Sequence, residues 1–176
     1  MAITLFVSNG FDETSVEDIA LAAGVARRTF FRYFPSKADA VWGDFPALLQ
    51  QMRQRLAEFP DTVPTAEALT TATIEFNAVP TSEVDGHRRR MTLILTVPTL
   101  LADSTLRFVE WRTVVADFVA RRLGRSPTDL LPVTIGYGAL GASLAAYERW
   151  LAEPDEDLAT LLRTSFGALT DGLRGC

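Results

Sequence analysis

The amino-acid sequence predicts an all-α protein with an N-terminal three-helix helix-turn-helix domain and a C-terminal helical domain. Apolar residues recur at helical spacing along nearly the whole chain, and no segment has the two-residue alternation of a half-buried strand. Proline and glycine divide the chain into segments of helical length. With 176 residues, 48% of them hydrophobic, the chain can fill a sizeable core.

The N-terminal segment predicts three short helices. The first ends at Asn9, because Gly10 suits the residue that closes a helix. Thr14 and Glu17 have the spacing of a capping box, so we expect them to begin the second helix, which stops at Gly24. The third helix covers residues 27–34 and ends before a proline.

A fourth helix is predicted from Ser36, with Asp39 as its reciprocal cap, to about residue 59, with a bend expected at Pro46. Prolines 60 and 64 mark the start of the C-terminal part. Further helices are expected over about 65–79, 81–97, 104–123, 128–152 and 155–173. We assign residues 1–45 to the helix-turn-helix domain and residues 46–176 to a ligand-binding and dimerisation domain.

The composition argues against several functional classes. The formal net charge is −5, so a nucleic-acid contact must be confined to a local basic surface. The only cysteine is Cys176 and the only histidine is His87, which leaves no disulfide framework and no Cys/His metal cluster. Neither paired carboxylates at catalytic spacing nor a glycine-rich phosphate loop is evident. We therefore expect no catalytic residue, no metal site, no cofactor and no enzymatic activity.

The chain is also expected to act in the cytoplasm, without a membrane partner. Its first residues have neither the basic region nor the cleavage site of a signal peptide. Residues 130–146 carry no charge, but Pro132, Gly136, Gly138 and Gly141 interrupt this stretch, which is short for a bilayer span.

The second and third helices have the features of a DNA-reading motif. Such a motif needs a supporting helix, a tight turn and a second helix whose exposed face enters the major groove. Phe30 and Phe34 are four residues apart and can pack inward, which turns Arg27, Arg28, Phe31 and Arg32 outward. Between residues 25 and 37 there are basic residues and no acidic one, so positive charge is concentrated where DNA would lie.

These positions predict different roles at the DNA. Arg27 and Arg28 are candidates for reading bases, since a guanidinium group can donate two parallel hydrogen bonds to guanine. Thr29, Tyr33 and Lys37 are better suited to phosphates, which fix register without reading sequence. The full predicted DNA-contacting set is Thr14, Arg27, Arg28, Thr29, Phe31, Arg32, Tyr33 and Lys37.

Residues 14–39, TSVEDIALAAGVARRTFFRYFPSKAD, resemble the signature of the TetR family of transcriptional regulators. The resemblance implies nine or more helices, a DNA-binding domain formed by the first three, a ligand-binding body and a dimer built on the last two long helices. Ala26 departs from a frequent capping serine, and Phe31 departs from a frequent phosphate-contacting tyrosine. The chain starts near the end of the family's first helix, so we expect that helix to be incomplete.

The C-terminal part predicts an apolar effector site. Phe108, Trp111, Val115 and Phe118 recur at helical spacing and form an aromatic stripe. A stripe of this kind can equally be ordinary core, but the family architecture implies a pocket between these helices. The predicted lining is Phe76, Arg89, Ile94, Val97, Phe108, Trp111, Val115 and Phe118. In this set, Arg89 belongs to the basic cluster formed by residues 87–90. This cluster is either solvated or pairs with a phosphate or carboxylate of the ligand or with acidic residues of the DNA-binding domain. An apolar or acyl-type ligand would suit such a site.

The last two long segments predict a homodimer. Residues 128–152 are rich in glycine and alanine, and Leu158, Leu162, Phe166, Leu169 and Leu173 form an apolar stripe on the final segment. In a dimer, these two helical segments from each chain would make a four-helix interface. The residues predicted at its centre are Gly138, Gly141, Leu144, Leu162, Phe166 and Leu169. A twofold dimer predicts a near-palindromic operator with half-sites about 34 to 36 Å apart.

Segments 40–45 (AVWGDF), 87–98 (HRRRMTLILTVP) and 104–112 (STLRFVEWR) are similar to regulators associated with mycofactocin gene clusters. The sequence thus predicts a ligand-responsive regulator, expected to be a repressor, of mycofactocin-related genes. A TetR-like regulator of efflux or lipid metabolism is the first alternative. An enzyme that uses the C-terminal cavity and a pure interaction protein are remote ones.

Overall fold

The computed structural model describes residues 1–171, and over this range the chain forms ten α-helices, one 3₁₀ helix and no strand. The helices are α1 (Ala2–Asn9), α2 (Val16–Ala22), α3 (Arg27–Tyr33), α4 (Asp39–Trp42), α5 (Phe45–Glu58), α6 (Thr65–Phe76), the 3₁₀ helix (Thr81–Glu83), α7 (Val84–Thr96), α8 (Pro98–Leu123), α9 (Leu130–Ala152) and α10 (Leu158–Asp171). The predicted all-α class is confirmed. Leu173 of the predicted apolar stripe lies outside the described residues.

The two largest differences from the predicted helix boundaries are a break after α4 and the early start of α8. The single helix expected from Ser36 to about residue 59 is two helices, because Gly43 adopts a φ of 67° and interrupts it between α4 and α5. α8 begins at Pro98 rather than near residue 104. Proline is well suited to the first position of a helix, where its missing N–H has no helical acceptor.

The chain divides into two compact units. The first, which we call the head unit, contains Met1–Phe45 together with Val79–Thr105. The second, the body unit, contains Pro46–Ala78 and the chain from Leu106 onward. The predicted domain border after residue 45 coincides with a border between the units, but residues 79–105 group with the N-terminal helices rather than with the body.

Aromatic side chains form much of the head-unit core. The rings of Phe6 and Phe11 lie 5.0 Å apart, and both side chains are buried. Ile19 of α2 and Phe30 of α3 are buried as well. α7 packs against α1 and α4. The three N-terminal helices therefore have a fourth, sequence-distant helix as part of their support.

Close helix approaches organise the body unit. α10 packs against α9 and α6. A Cβ atom at Gly136 of α9 would lie 3.0 Å from the backbone oxygen of Arg112 of α8, so the two helices approach at a point that only glycine allows without a shift. By length and apolar composition α9 could cross a membrane, but core helices pass the same test, and seven residues of α9 are buried.

The end of α5 is held by an arginine of α8. Arg122 donates hydrogen bonds to the backbone oxygens of four residues in the segment that follows α5, at distances of 2.9 to 3.3 Å. Its side chain is only 8% exposed. The neighbouring Arg121 donates a single longer bond, 3.4 Å, to the backbone oxygen of Leu56. Arg122 thus supplies charged donors to carbonyl groups of the loop between α5 and α6.

Candidate functional site

The supporting helix α2 is capped one residue later than predicted. Ser15, not Thr14, is the N-cap: its hydroxyl accepts from the backbone N–H of Asp18, and the Asp18 carboxylate accepts from the Ser15 backbone N–H. These hydrogen bonds from the Ser15 side chain and backbone hold the pKa of the Asp18 carboxyl below its usual value. The capping box is present, but it is formed by the pair Ser15 and Asp18.

The predicted DNA contact of Thr14 finds no support in the position of its side chain. Its side chain is 1% exposed, and its hydroxyl donates to the backbone oxygen of Gly10 at 2.6 Å. A threonine that lies one residue before the cap closes the loop after α1, so its hydroxyl is not available to a phosphate.

The recognition helix α3 divides into two faces as predicted. Phe30 is buried, Phe34 is half-buried, and their rings lie 5.4 Å apart. The opposite face carries exposed side chains that would meet DNA, namely Arg27, Arg28, Phe31, Arg32 and Tyr33. Thr29 is half-buried. One face of α3 thus anchors the helix, while the other presents three arginines and two aromatic rings.

The exposed arginines of α3 differ in how firmly they are held. Arg27 Nε lies 2.6 Å from Glu17 Oε1 of α2, and the Arg27 guanidinium lies 5.0 Å from the Phe31 ring centroid. Arg32 donates to the Tyr33 hydroxyl at 3.2 Å. Arg28 is exposed and makes no hydrogen bond, ion pair or ring contact within the described residues. Arg27 is thus pre-positioned, whereas Arg28 is free to adapt to a base edge.

Lys37, another member of the predicted set, has its ammonium group engaged within the chain. Its ammonium group donates to the backbone oxygens of Phe11, Asp12 and Thr14 at 2.6, 3.3 and 3.1 Å. It also lies 4.4 Å from the centroid of the Phe11 ring. An ammonium group has three donors, and here it has three carbonyl oxygens within hydrogen-bond distance, so a contact from Lys37 to phosphate would compete with these bonds and stays a prediction. Nothing in the local sequence signals this arrangement.

The predicted effector-lining residues are divided between the two units. Arg89 and Ile94 of α7 and Val97 lie in the head unit; Arg89 is exposed and Ile94 is buried. The others lie in the body unit, where Trp111, Val115 and Phe118 are buried while Phe76 and Phe108 are half-buried. The aromatic stripe of α8 therefore contributes to the interior of the body unit.

A polar group that sequence reasoning missed lies in this apolar interior. The Tyr147 hydroxyl donates to Asn77 Oδ1 at 2.7 Å, and Asn77 Nδ2 donates to the backbone oxygen of Thr73 at 2.8 Å. Thr73 is 0% exposed, and within residues 1–171 its hydroxyl has no hydrogen-bond partner, unlike those of the buried Ser104 and Ser143. A buried hydroxyl of this kind can meet a polar group of a ligand.

The predicted dimer residues also fall into two groups. Leu162 and Phe166 are 1% and 4% exposed within the single chain, so their side chains belong to the protomer's own core. A Cβ atom at Gly138 would lie 3.3 Å from Leu169, which places Gly138 against α10 of the same chain. Gly141 faces open space, Leu144 is half-buried, and Leu169 is exposed. Gly141, Leu144 and Leu169 therefore remain the predicted positions for contact with a partner chain.

A capped supporting helix, a turn at Gly24 with a φ of 67°, and a recognition helix with a basic outer face define a helix-turn-helix regulator. Residues 1–40 match the family described as bacterial regulatory proteins, tetR family, and residues 63–174 match the MftR C-terminal domain. The chain belongs to the TetR family of transcriptional regulators. The resemblance seen in residues 14–39 is confirmed.

The relatives support this assignment. A protein of Mycobacterium tuberculosis named as a mycofactocin biosynthesis transcriptional regulator, MftR, is 43% identical over 173 residues, which cover 98% of this chain and 87% of the relative. The HTH-type transcriptional regulator TcmR of Streptomyces glaucescens is 30% identical over 185 residues, covering 98% and 79%. These relatives are transcriptional regulators rather than enzymes.

Solved structures have the same fold. The fatty acid degradation regulator FadR from Bacillus halodurans has a TM-score of 0.70 at 17% identity, covering 98% of this chain and 96% of that chain. FadR of Thermus thermophilus, a TetR-family transcriptional repressor solved in complex with lauroyl-CoA, has a TM-score of 0.61 at 23% identity, covering 98% and 91%.

Proposed function

We propose that the protein is a homodimeric repressor that binds a near-palindromic operator through α3 and is released by an apolar, acyl-type effector. It acts in the cytoplasm, associated with the nucleoid when it is bound to DNA. The observation that carries the proposal is the outer face of α3, where Arg27, Arg28 and Arg32 are exposed while Phe30 fixes the inner face in the core.

The distribution of charge supports sequence-specific rather than general DNA binding. The whole chain has a net charge of −5, which repels phosphates, so binding must depend on the local arginine face of α3. Guanidinium groups there can read guanine bases, and each well-formed bidentate contact adds about 1 to 3 kcal/mol of discrimination. A twofold dimer would place two such faces in successive major grooves.

The body unit supports an effector with a long apolar part. Its interior contains Trp111, Val115 and Phe118, together with the unsatisfied Thr73 hydroxyl. The Thermus thermophilus relative was solved with lauroyl-CoA. α8 continues from the head unit into the body unit, so a ligand that favours one arrangement of the body can change DNA affinity.

The relative named for mycofactocin biosynthesis supports a role in the control of mycofactocin-related genes. An operator sequence found for this protein should then occur upstream of such genes in its own genome.

The decisive experiment selects bound duplexes from a random library at several salt concentrations. The wild type is compared with Arg28→Ala and with Arg125→Ala, a matched charge loss at an exposed loop residue outside α3. We expect one near-palindrome for the wild type and for Arg125→Ala, and a degenerate position in each half-site for Arg28→Ala. A selection without any enriched sequence would contradict the proposal.

The effector is tested on the selected duplex with a series of acyl-CoA thioesters of increasing chain length, with free CoA as the control. Release of DNA should strengthen with chain length and be absent for free CoA, because the apolar interior recognises the chain. Equal DNA affinity across the whole series would exclude an acyl effector while leaving operator binding intact.

A further inference from the structure

One phenylalanine of this chain is exposed, and it lies on the recognition helix. The chain has eleven phenylalanines, all within the described residues, and ten of them are buried or half-buried. Phe31 is the exception, with 40% of its surface exposed. A single exposed apolar side chain is common on protein surfaces, so the argument rests on where Phe31 lies, on the outer face of the recognition helix beside Arg27.

The Phe31 ring is nevertheless held in place. It meets the buried ring of Phe30 edge-on, with centroids 5.5 Å apart and planes at 88°. The Arg27 guanidinium lies 5.0 Å from its centroid on the same helix face. A ring fixed in this way loses little conformational freedom when a partner binds it, so it can contribute to specificity.

The neighbouring Arg27 is oriented for a base. The carboxylate of Glu17 engages Arg27 at Nε, at 2.6 Å. The edge of the guanidinium formed by the terminal amino groups, Nη1 and Nη2, can donate to the O6 and N7 acceptors of one guanine. The head unit thus presents a guanidinium fork with an apolar ring beside it.

An unsubstituted phenyl ring has no group that can hydrogen-bond a phosphate or a base edge. The apolar feature that DNA offers in the major groove is the 5-methyl group of thymine. The ring and the guanidinium are 5.0 Å apart, whereas successive bases on a strand are separated by about 3.4 Å. A separation of this size lets the two side chains contact neighbouring base pairs.

We propose that Phe31 reads the methyl group of a thymine adjacent to the guanine read by Arg27, and is thus a specificity-determining residue of the operator contact. This inference rests on the proposed function, since it assumes that α3 enters the major groove. It assigns an apolar base contact to a position where the family often has a phosphate-contacting tyrosine.

The test removes the methyl group without changing the base pairing. In the duplex selected above, the thymine next to the guanine is replaced by deoxyuridine in one half-site and then in both. We expect the wild type to lose affinity about 4-fold when one half-site is substituted and about 15-fold when both are. These factors correspond to the loss of one buried methyl group and of two, respectively. Replacing the T·A pair by 5-methylcytosine·guanine should give tighter binding than cytosine·guanine.

Two variants complete the test. Phe31→Ala should bind the thymine and deoxyuridine duplexes equally, whereas Phe31→Leu, which keeps an apolar side chain, should retain a preference for thymine. The ratio of the two affinities is measured within each variant, so a general loss of affinity does not affect the conclusion. Thermal unfolding of each variant confirms that the head unit is folded.

The outcomes separate this inference from the proposed function. A single enriched operator that has no thymine beside the guanine, or that the wild type binds equally with thymine and deoxyuridine, overturns the role of Phe31 and leaves the regulator intact. A library selection with no enriched sequence overturns both.

Discussion

At the scale of single residues, His87 on α7 is a partly buried imidazole beside a positive charge. Burial is the main cause, and the charge of Arg90 the second, of a pKa lowered from 6.5 to about 4. The ring is therefore neutral in the folded protein at neutral pH. Protonation at lower pH would place a second positive charge next to Arg90.

The stability of the protein should consequently fall as the pH is lowered from about 6.5 to about 4. Within this window the unfolded chain binds a proton at His87 that the folded protein does not, so protonation favours unfolding. The full loss, reached below the folded-state pKa, is about 3 kcal/mol. Unfolding in urea at a series of pH values measures it.

His87→Gln is the control for this prediction, because it removes the chain's only histidine. Carboxylates titrate in both proteins, so the difference between the two stability curves isolates His87. Parallel curves for the wild type and the variant across the window would contradict the assignment.

The contacts of Lys37 could not be predicted from the residues around it in the sequence. A lysine shortly after a recognition helix is compatible with a phosphate contact, and the sequence alone favours that interpretation. The structure instead gives its ammonium three carbonyl oxygens, from Phe11, Asp12 and Thr14, more than twenty positions earlier in the chain. Only tertiary structure brings these acceptors together, so no local pattern could have predicted them.

At the scale of helices, the loop between α5 and α6 depends mainly on one side chain. Arg122 donates to the backbone oxygens of Phe59, Pro60, Asp61 and Val63 and lies 5.0 Å from the ring of Phe118. These carbonyls follow the last turn of α5 and lie in the body unit. The arginine therefore fixes the path of the chain between α5 and α6.

Arg122→Met should lower the free energy of unfolding by about 3 kcal/mol, because several partly buried carbonyls lose a charged donor. Arg121→Met is the matched control, since Arg121 is exposed and donates one long bond. Its cost should stay below about 1 kcal/mol. Equal destabilisation of the two variants in chemical unfolding would show that the four carbonyl contacts of Arg122 contribute nothing specific.

Helix boundaries could be predicted to within a residue or two where side-chain chemistry sets them. The end of α1 before Gly10 and the start of α3 at Arg27 agree with the sequence prediction. The cap of α2 is shifted by one residue because Thr14 and Ser15 are both acceptable caps, and backbone packing decides between them. The break at Gly43 was missed because a single glycine does not by itself interrupt a helix.

At the scale of the whole molecule, an apolar stripe does not reveal whether its partner belongs to the same chain. The leucines and the phenylalanine of α10 form the same apolar stripe whether the helix that covers it belongs to the same chain or to a second copy. Leu162 and Phe166 are buried within the protomer, where α10 packs against α9 and α6, while Leu169 is exposed. Burial within the single chain distinguishes side chains that pack inside the protomer from side chains that remain open to a partner. It reduces the proposed dimer surface to positions such as Gly141.

Gly141→Leu should weaken dimerisation without destabilising the protomer. Within the chain, a Cβ atom at this position would meet nothing within 4 Å, and leucine is a better helix former than glycine by up to about 1 kcal/mol. A partner helix that approaches closely there would collide with the added side chain. Sedimentation equilibrium over a range of concentrations should therefore show a higher dissociation constant for the variant.

Gly86→Leu is the matched control for this prediction. Gly86 is also a helical glycine with open space around its Cβ position, but it lies on α7, outside the proposed dimer surface. It should gain the same helix propensity and keep the dissociation constant of the wild type. If Gly141→Leu dimerises as tightly as Gly86→Leu, the partner does not approach α9 at Gly141. The twofold axis, and with it the half-site spacing of the operator, must then be sought on another face of the body unit.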